Sequence, residues 1–187
     1  MDDRIRRHAE ILVDQCVEVE RGDMVRVVAP PEAEPLVVAV FERLGEIGAR
    51  PALSWRGSRA SRAFKRAVDP GDVETAEHTL AALEATDAYI GVSASQNLAE
   101  SSDVPADVVT ALRKADKPLQ DELRDLRWVG TQYPGPGNAQ KAGMSTEAYE
   151  DFVYRAVDRD WDAQREFQAQ LVEILDGASD VRIVSGY

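Results

Sequence analysis

Histidine and cysteine are nearly missing from this chain. Its 187 residues include one cysteine, Cys16, and two histidines, His8 and His78. A single cysteine excludes an internal disulfide and fits a reducing compartment. The sequence has no HExxH, no cysteine pair at zinc spacing and no Walker loop. A serine nucleophile in the polar run Ser93-Ala94-Ser95-Gln96-Asn97 would need a base, and neither histidine is near it in sequence. No apolar run approaches the ~18 residues of a membrane span. The opening Met1-Asp2-Asp3-Arg4 does not read as a secretion signal, so a cytoplasmic protein is expected. Lysine is also scarce: Lys65, Lys114, Lys117 and Lys141 stand against 18 arginines. Internal repeats and low-complexity linkers are absent.

What is plentiful is acid. Thirty-four Asp and Glu against 22 Lys and Arg give a net charge of −12. Such a surface repels phosphate backbones, which argues against nucleic-acid partners. Abundant acid with little lysine suggests a protein suited to concentrated salt, where the screening length falls to about 3 Å at 1 M.

Periodicity predicts a helix over 3–19, with Ile5, Ala9, Leu12, Val13 and Cys16 as its apolar stripe. His8 falls beside the charged face, as a solvated or locally paired histidine. Cys16 on the stripe reads as a buried, inert thiol. A strand over 24–29 ends at Pro30-Pro31. A helix over 32–48 follows, with Leu36, Val40, Phe41, Leu44 and Ile47 inward and Gly48 closing it, and then a strand over 50–55. Strand, helix, strand implies parallel pairing and a right-handed crossover. The turn after the first strand has two glutamates, three prolines and no glycine, which excludes a nucleotide loop.

Arg56, Arg59, Arg62, Lys65 and Arg66 form the one basic cluster, on a predicted short helix. They are either a solvated face paired with the acidic background or an anchor for a substrate carboxylate or an acidic partner. A helix over 70–85 carries His78 as a surface histidine. A strand over 87–92, a helical region over 103–126 split at Pro118, and a strand over 127–131 follow. The expected fold is α/β: a mostly parallel, four-stranded or slightly larger sheet flanked by helices, a Rossmann-like three-layer sandwich without a nucleotide loop.

The most distinctive stretch comes next. Pro134-Gly135-Pro136-Gly137 neither continues a strand nor starts a helix, so it reads as a loop. Gly143 breaks any short turn, and Ser145 is a good N-cap for a helix with Tyr149, Phe152, Val153, Ala156 and Val157 on one face. That helix runs to 176 or breaks at Asp158-Arg159-Asp160. Its second half carries Phe167, Leu171, Ile174 and Leu175 on one side, with Gly177 to close it. Residues 181–184 alternate as a terminal strand that needs a partner edge or stays frayed. The division is a domain over 1–178 and a terminal strand over 179–187.

The runs WVGTQYP (128–134), AQKAGMS (139–145) and YEDFVY (149–154) resemble the metal-dependent aminopeptidases of the aminopeptidase T and aminopeptidase S type. The resemblance implies an N-terminal domain of such an enzyme, ending as the catalytic domain would begin. It implies release of N-terminal amino acids from peptides, with two divalent metals (zinc, cobalt or magnesium) in the missing domain. No position in this sequence matches the family's metal ligands, so no metal or other cofactor is assigned to the chain itself. Thr131, Gln132, Tyr133 and Asn138 are the candidates to face the substrate cleft, and loop scaffolding is the equally open alternative. Arg56, Arg59 and Arg62 are the candidate anion or partner patch. Expected partners are a peptide substrate, once a catalytic domain is present, and a homodimer mate. The alternative function is a non-catalytic interaction or dimerisation module that pairs with a separate catalytic domain.

Overall fold

The computed structural model describes residues 2–185. Four strands form one sheet, all parallel, in the order β2-β1-β3-β4. They are β1 Met24–Ala29, β2 Arg50–Trp55, β3 Ala88–Ser93 and β4 Arg127–Gln132. Each lies within a residue of its sequence-predicted bounds, because each is a short β-rich run between turn residues. The order places a switch point between β1 and β3, where the chain leaves in opposite directions.

On one face, α1 (Asp3–Glu10) and α2 (Glu34–Ile47) cover the sheet. Ile5, Ala9, Leu12 and Val13 meet Leu36, Val40 and Leu44 over Val25, Val27, Ile90 and Val92. This is the main core. Gly48, at φ 83, ends α2 in the left-handed conformation that suits glycine. On the other face lie α4 (Glu77–Glu84), α5 (Ala106–Ala115) and α6 (Lys117–Asp125), with Pro118 in the first turn of α6. Their cluster is small: Val28, Leu83 and Tyr89, with Leu119, Leu123 and Leu126 against them. The basic helix α3 (Ser58–Ala67) has no buried residue.

The first helix is not α-helical throughout. It passes into a π-helix over Ile11–Cys16. The wider turn rotates the last residues off the α-helical stripe. Cys16, expected inside, is therefore exposed, and Val17 takes the buried position. His8 is also corrected: it is 1% exposed and belongs to the core side of α1.

The Pro134–Gly137 run is not all loop. Pro136 opens a short helix, α7 (Pro136–Lys141), at the position where a missing N–H costs nothing. Gly135 and Gly137 allow this helix to press on the loop after β3. A Cβ on Gly137 would lie 2.7 Å from the Ser95 and Gln96 carbonyl oxygens, while its N–H donates to the Ser95 carbonyl at 2.9 Å.

Ser145 caps α8 (Thr146–Val157), its Oγ accepting from the Ala148 N–H at 3.2 Å. The buried stripe of α8 is Val153 and Tyr154, flanked by Glu150 and Val157. Phe152 and Ala156, expected inward, point to solvent, and Phe152 stacks on Tyr149. The chain breaks at Asp158–Asp160, and Asp160 caps α9 (Trp161–Asp176). None of α9 is buried: Phe167 is 65% and Ile174 69% exposed. Residues 181–184 form no strand, since no sheet edge pairs with them; Gly186 and Tyr187 of the expected 179–187 strand lie outside the described residues.

Candidate functional site

The end of β4, α1 and α8 meet at one ledge, and three of the four predicted cleft residues are built into it. Thr131 points toward α1, where its Oγ1 lies 2.8 Å from His8 Nε2. Gln132, one residue on, projects from the opposite face of the strand end, and its side-chain amide donates to the Tyr149 hydroxyl on α8. The Tyr133 N–H donates to the Ser93 carbonyl at 2.8 Å, extending the β3–β4 ladder past the last paired residues. Asn138 sits on α7, with its Oδ1 buried and without a partner among the described residues. The structure thus gathers Thr131, Gln132 and Tyr133 at the ledge and holds each by a bond to another element. Asn138 stands apart from them, against the loop after β3.

His8 is the residue that sequence reasoning placed elsewhere. Its ring meets Tyr154 edge to face, with centroids 6.2 Å apart. Burial pushes its pKa down from 6.5 to about 4, so the imidazole is neutral at pH 7. Its Nδ1 has no partner among the described residues. Burial also raises the Tyr154 and Tyr133 phenols, so neither is a ready base near neutral pH. Arg4 covers the outer side of Tyr154, its guanidinium 4.9 Å from the ring centroid. It pairs with Asp151 at 2.6 Å and with Asp2 at 2.8 Å. A cavity of about 400 Å³ opens here between α1 and α8, lined by Arg4, Arg7, His8, Tyr154 and Asp158 among others.

The basic patch divides in two. Arg62 grips both Asp103 carboxylate oxygens through its Nε and Nη2, the Nε bond being 2.8 Å, and Arg66 approaches the same carboxylate at 3.4 Å. The Arg62 guanidinium holds the Asp103 carboxyl below the usual range. Arg62 is therefore engaged in tying α3 to the segment before α5. Arg56 and Arg59 have no carboxylate within 4 Å among the described residues. Both line a cavity of about 200 Å³ at the switch point, with Glu32, Ser95 and Gln96. Arg56 also lines two depressions on the α4–α6 face of the sheet. His78 is exposed on α4.

Among the described residues, no three His, Cys, Asp or Glu side chains are grouped so that they could hold a metal ion. No helix there is long and apolar enough to cross a membrane.

No curated protein matches the chain. Among solved structures, wild-type AmpT from Thermus thermophilus superposes with a TM-score of 0.67 at 20% identity, over 83% of this chain and 42% of that one. At that identity the likeness speaks for the fold. An alcohol dehydrogenase superfamily protein from Novosphingobium aromaticivorans aligns at 13% identity over 82% of this chain and 47% of that one, but its TM-score of 0.33 carries no weight. This chain therefore spans less than half the length of the AmpT chain. The model of one family, described as thermophilic metalloprotease (M29), matches residues 1–185, and the chain belongs to that family.

Proposed function

We propose that this chain is the substrate-flanking portion of a metallo-aminopeptidase that releases N-terminal amino acids from peptides, and that it is inactive alone. The observation that carries this reading is a mismatch within the chain. The family match runs over residues 1–185, yet the described residues do not supply a donor set that fits a catalytic metal. In this reading the divalent ions, which would activate water and polarise the scissile carbonyl, are held by residues outside those described. The ledge of Thr131, Gln132 and Tyr133 borders the peptide cleft, with Asn138 at its edge.

The test is hydrolysis of leucine p-nitroanilide in molar KCl with added cobalt or zinc, with bound metal quantified. The chain alone is expected to be silent and to retain no metal. Co-expression with the catalytic portion of a member of the same family is expected to restore both. Hydrolysis by the chain alone with stoichiometric metal would overturn the proposal.

The second reading is an interaction module that joins a separately encoded catalytic polypeptide or a second copy of itself. The apolar face of α9 favours it, because Phe167, Leu171 and Ile174 form an exposed stripe at helical spacing. A strictly monomeric chain whose behaviour is unchanged by Phe167→Asp would count against it.

A further inference from the structure

Two glycines lie side by side in the sheet, and they open a trough. Gly91 of β3 and Gly130 of β4 are register partners. Their neighbouring pairs on the same face are Tyr89 with Trp128 on one side and Ser93 with Gln132 on the other. The cross-strand rows therefore run aromatic, glycine, polar. The Tyr89 ring leans toward Gly91, where a Cβ would come within 3.0 Å of Cε1; a Cβ on Gly130 would meet only the Trp128 ring, at 3.9 Å. Helices α4 and α6 cover this face near Val28 and Tyr89 and leave the glycine row open. The result is a depression of about 440 Å³ running from Gln132 across both glycines to Arg56.

The charge of this trough is opposite to that of the molecule. Arg56 is the one charged side chain among its described lining residues, in a protein of net charge −12. Paired strand glycines suit close approach of another backbone. The length is also informative. From β4 to β2, whose end carries Arg56, there are three strand spacings of about 4.8 Å, roughly 14 Å, or about four extended residues.

We infer that this trough binds a short extended peptide of about four residues by its free C-terminal carboxylate, which Arg56 takes, with the peptide backbone lying over Gly130. The inference rests on the aminopeptidase reading for its choice of ligand. It adds a preference for short peptides with an unblocked C-terminus.

The experiment is calorimetric titration of the purified chain with tetra-alanine and with tetra-alanine amide, in dilute buffer. The native chain is expected to bind the acid at least ~10-fold more tightly than the amide, the scale of one charge-assisted contact. That preference would run against the protein's long-range negative field, so it reports a local cation. Arg56→Gln, at an exposed position, is expected to bind both peptides alike. Gly130→Val places a β-favouring side chain where there is room for its Cβ and fills the trough; with a native-like thermal melt as the check on its fold, it is expected to bind neither peptide. Equal affinity of the native chain for acid and amide, binding of neither, or full affinity in Gly130→Val would overturn the inference. The readout does not depend on hydrolysis. Acid-selective binding without aminopeptidase activity in the co-expressed assembly would sink the proposed function alone. Activity in that assembly with no acid preference here would sink the trough alone.

Discussion

His8 Nε2 and Thr131 Oγ1 stand 2.8 Å apart and join the first helix to the last strand. The two residues are separated by most of the chain, so the bond fixes where the signature ledge sits on the core. Removing the hydroxyl leaves a buried ring nitrogen unpaired, at a cost of about 1–3 kcal/mol. Thr131→Val is expected to lower stability by that amount in urea unfolding, and Thr131→Ser to recover most of it. Equal stability of the Val variant and the native chain would show that the bond contributes nothing.

The same histidine sets a pH dependence. Its folded pKa of about 4 lies below the ordinary 6.5. Between those values the unfolded chain binds a proton that the folded chain refuses. Stability therefore falls as pH drops from about 6.5 to 4, by up to about 3 kcal/mol. Asp2 and Asp103 have carboxyls held below the usual range, and their contribution is lost at lower pH still, as pH falls through their folded values. Unfolding midpoints between pH 7 and 4.5 should show the fall in the native chain and a flatter profile in His8→Leu.

Gly137 and Gly45 offer a matched contrast. At Gly137 an added methyl meets two carbonyl oxygens at 2.7 Å. Gly137→Ala should cost about 1–3 kcal/mol and loosen α7 from the loop after β3. Gly45 lies in α2 with nothing within 4 Å of a Cβ. Gly45→Ala should raise stability by about 0.5–1 kcal/mol. Thermal melts of the two variants decide the point, and a destabilised Gly45→Ala would contradict it.

The acidic surface leads to a salt prediction. With a net charge of −12, the melting temperature should be higher in molar KCl than in dilute buffer. A melt showing the reverse would remove the case for a salt-adapted surface.

The sheet could be read from the sequence because its strands are short apolar runs between turn residues, and the βαβ spacing gave their parallel sense. His8 could also have been found. Ile5, His8, Ala9 and Leu12 share one helical face, but the arginines at 4, 6 and 7 flank that face with charge. Cys16 was out of reach, because a π-helix leaves no mark in a periodicity that assumes 3.6 residues per turn. Pro136 was legible on a different reading, since proline is at home in a first helical turn. Of the basic cluster, sequence could not separate Arg62, which Asp103 occupies, from Arg56, which stands over the trough. That difference depends on which loop folds back over α3.

An all-parallel sheet also dictates an order of assembly. No two neighbouring strands can zip through a tight turn; each must wait for a crossover to close. Met24 meets Arg50 first, once α2 has formed; Val25 then waits for Ala88, and Ala88 for Arg127. The ledge needs α1, the end of β4 and α8 together, so a chain leaving the ribosome carries His8 from the start yet cannot bury it until Tyr154 has emerged. Until then the first helix is a nascent element with an uncovered face. The His8–Thr131 bond reports completion of the fold, and stalled chains ending before residue 131 are the ones that would call on chaperones.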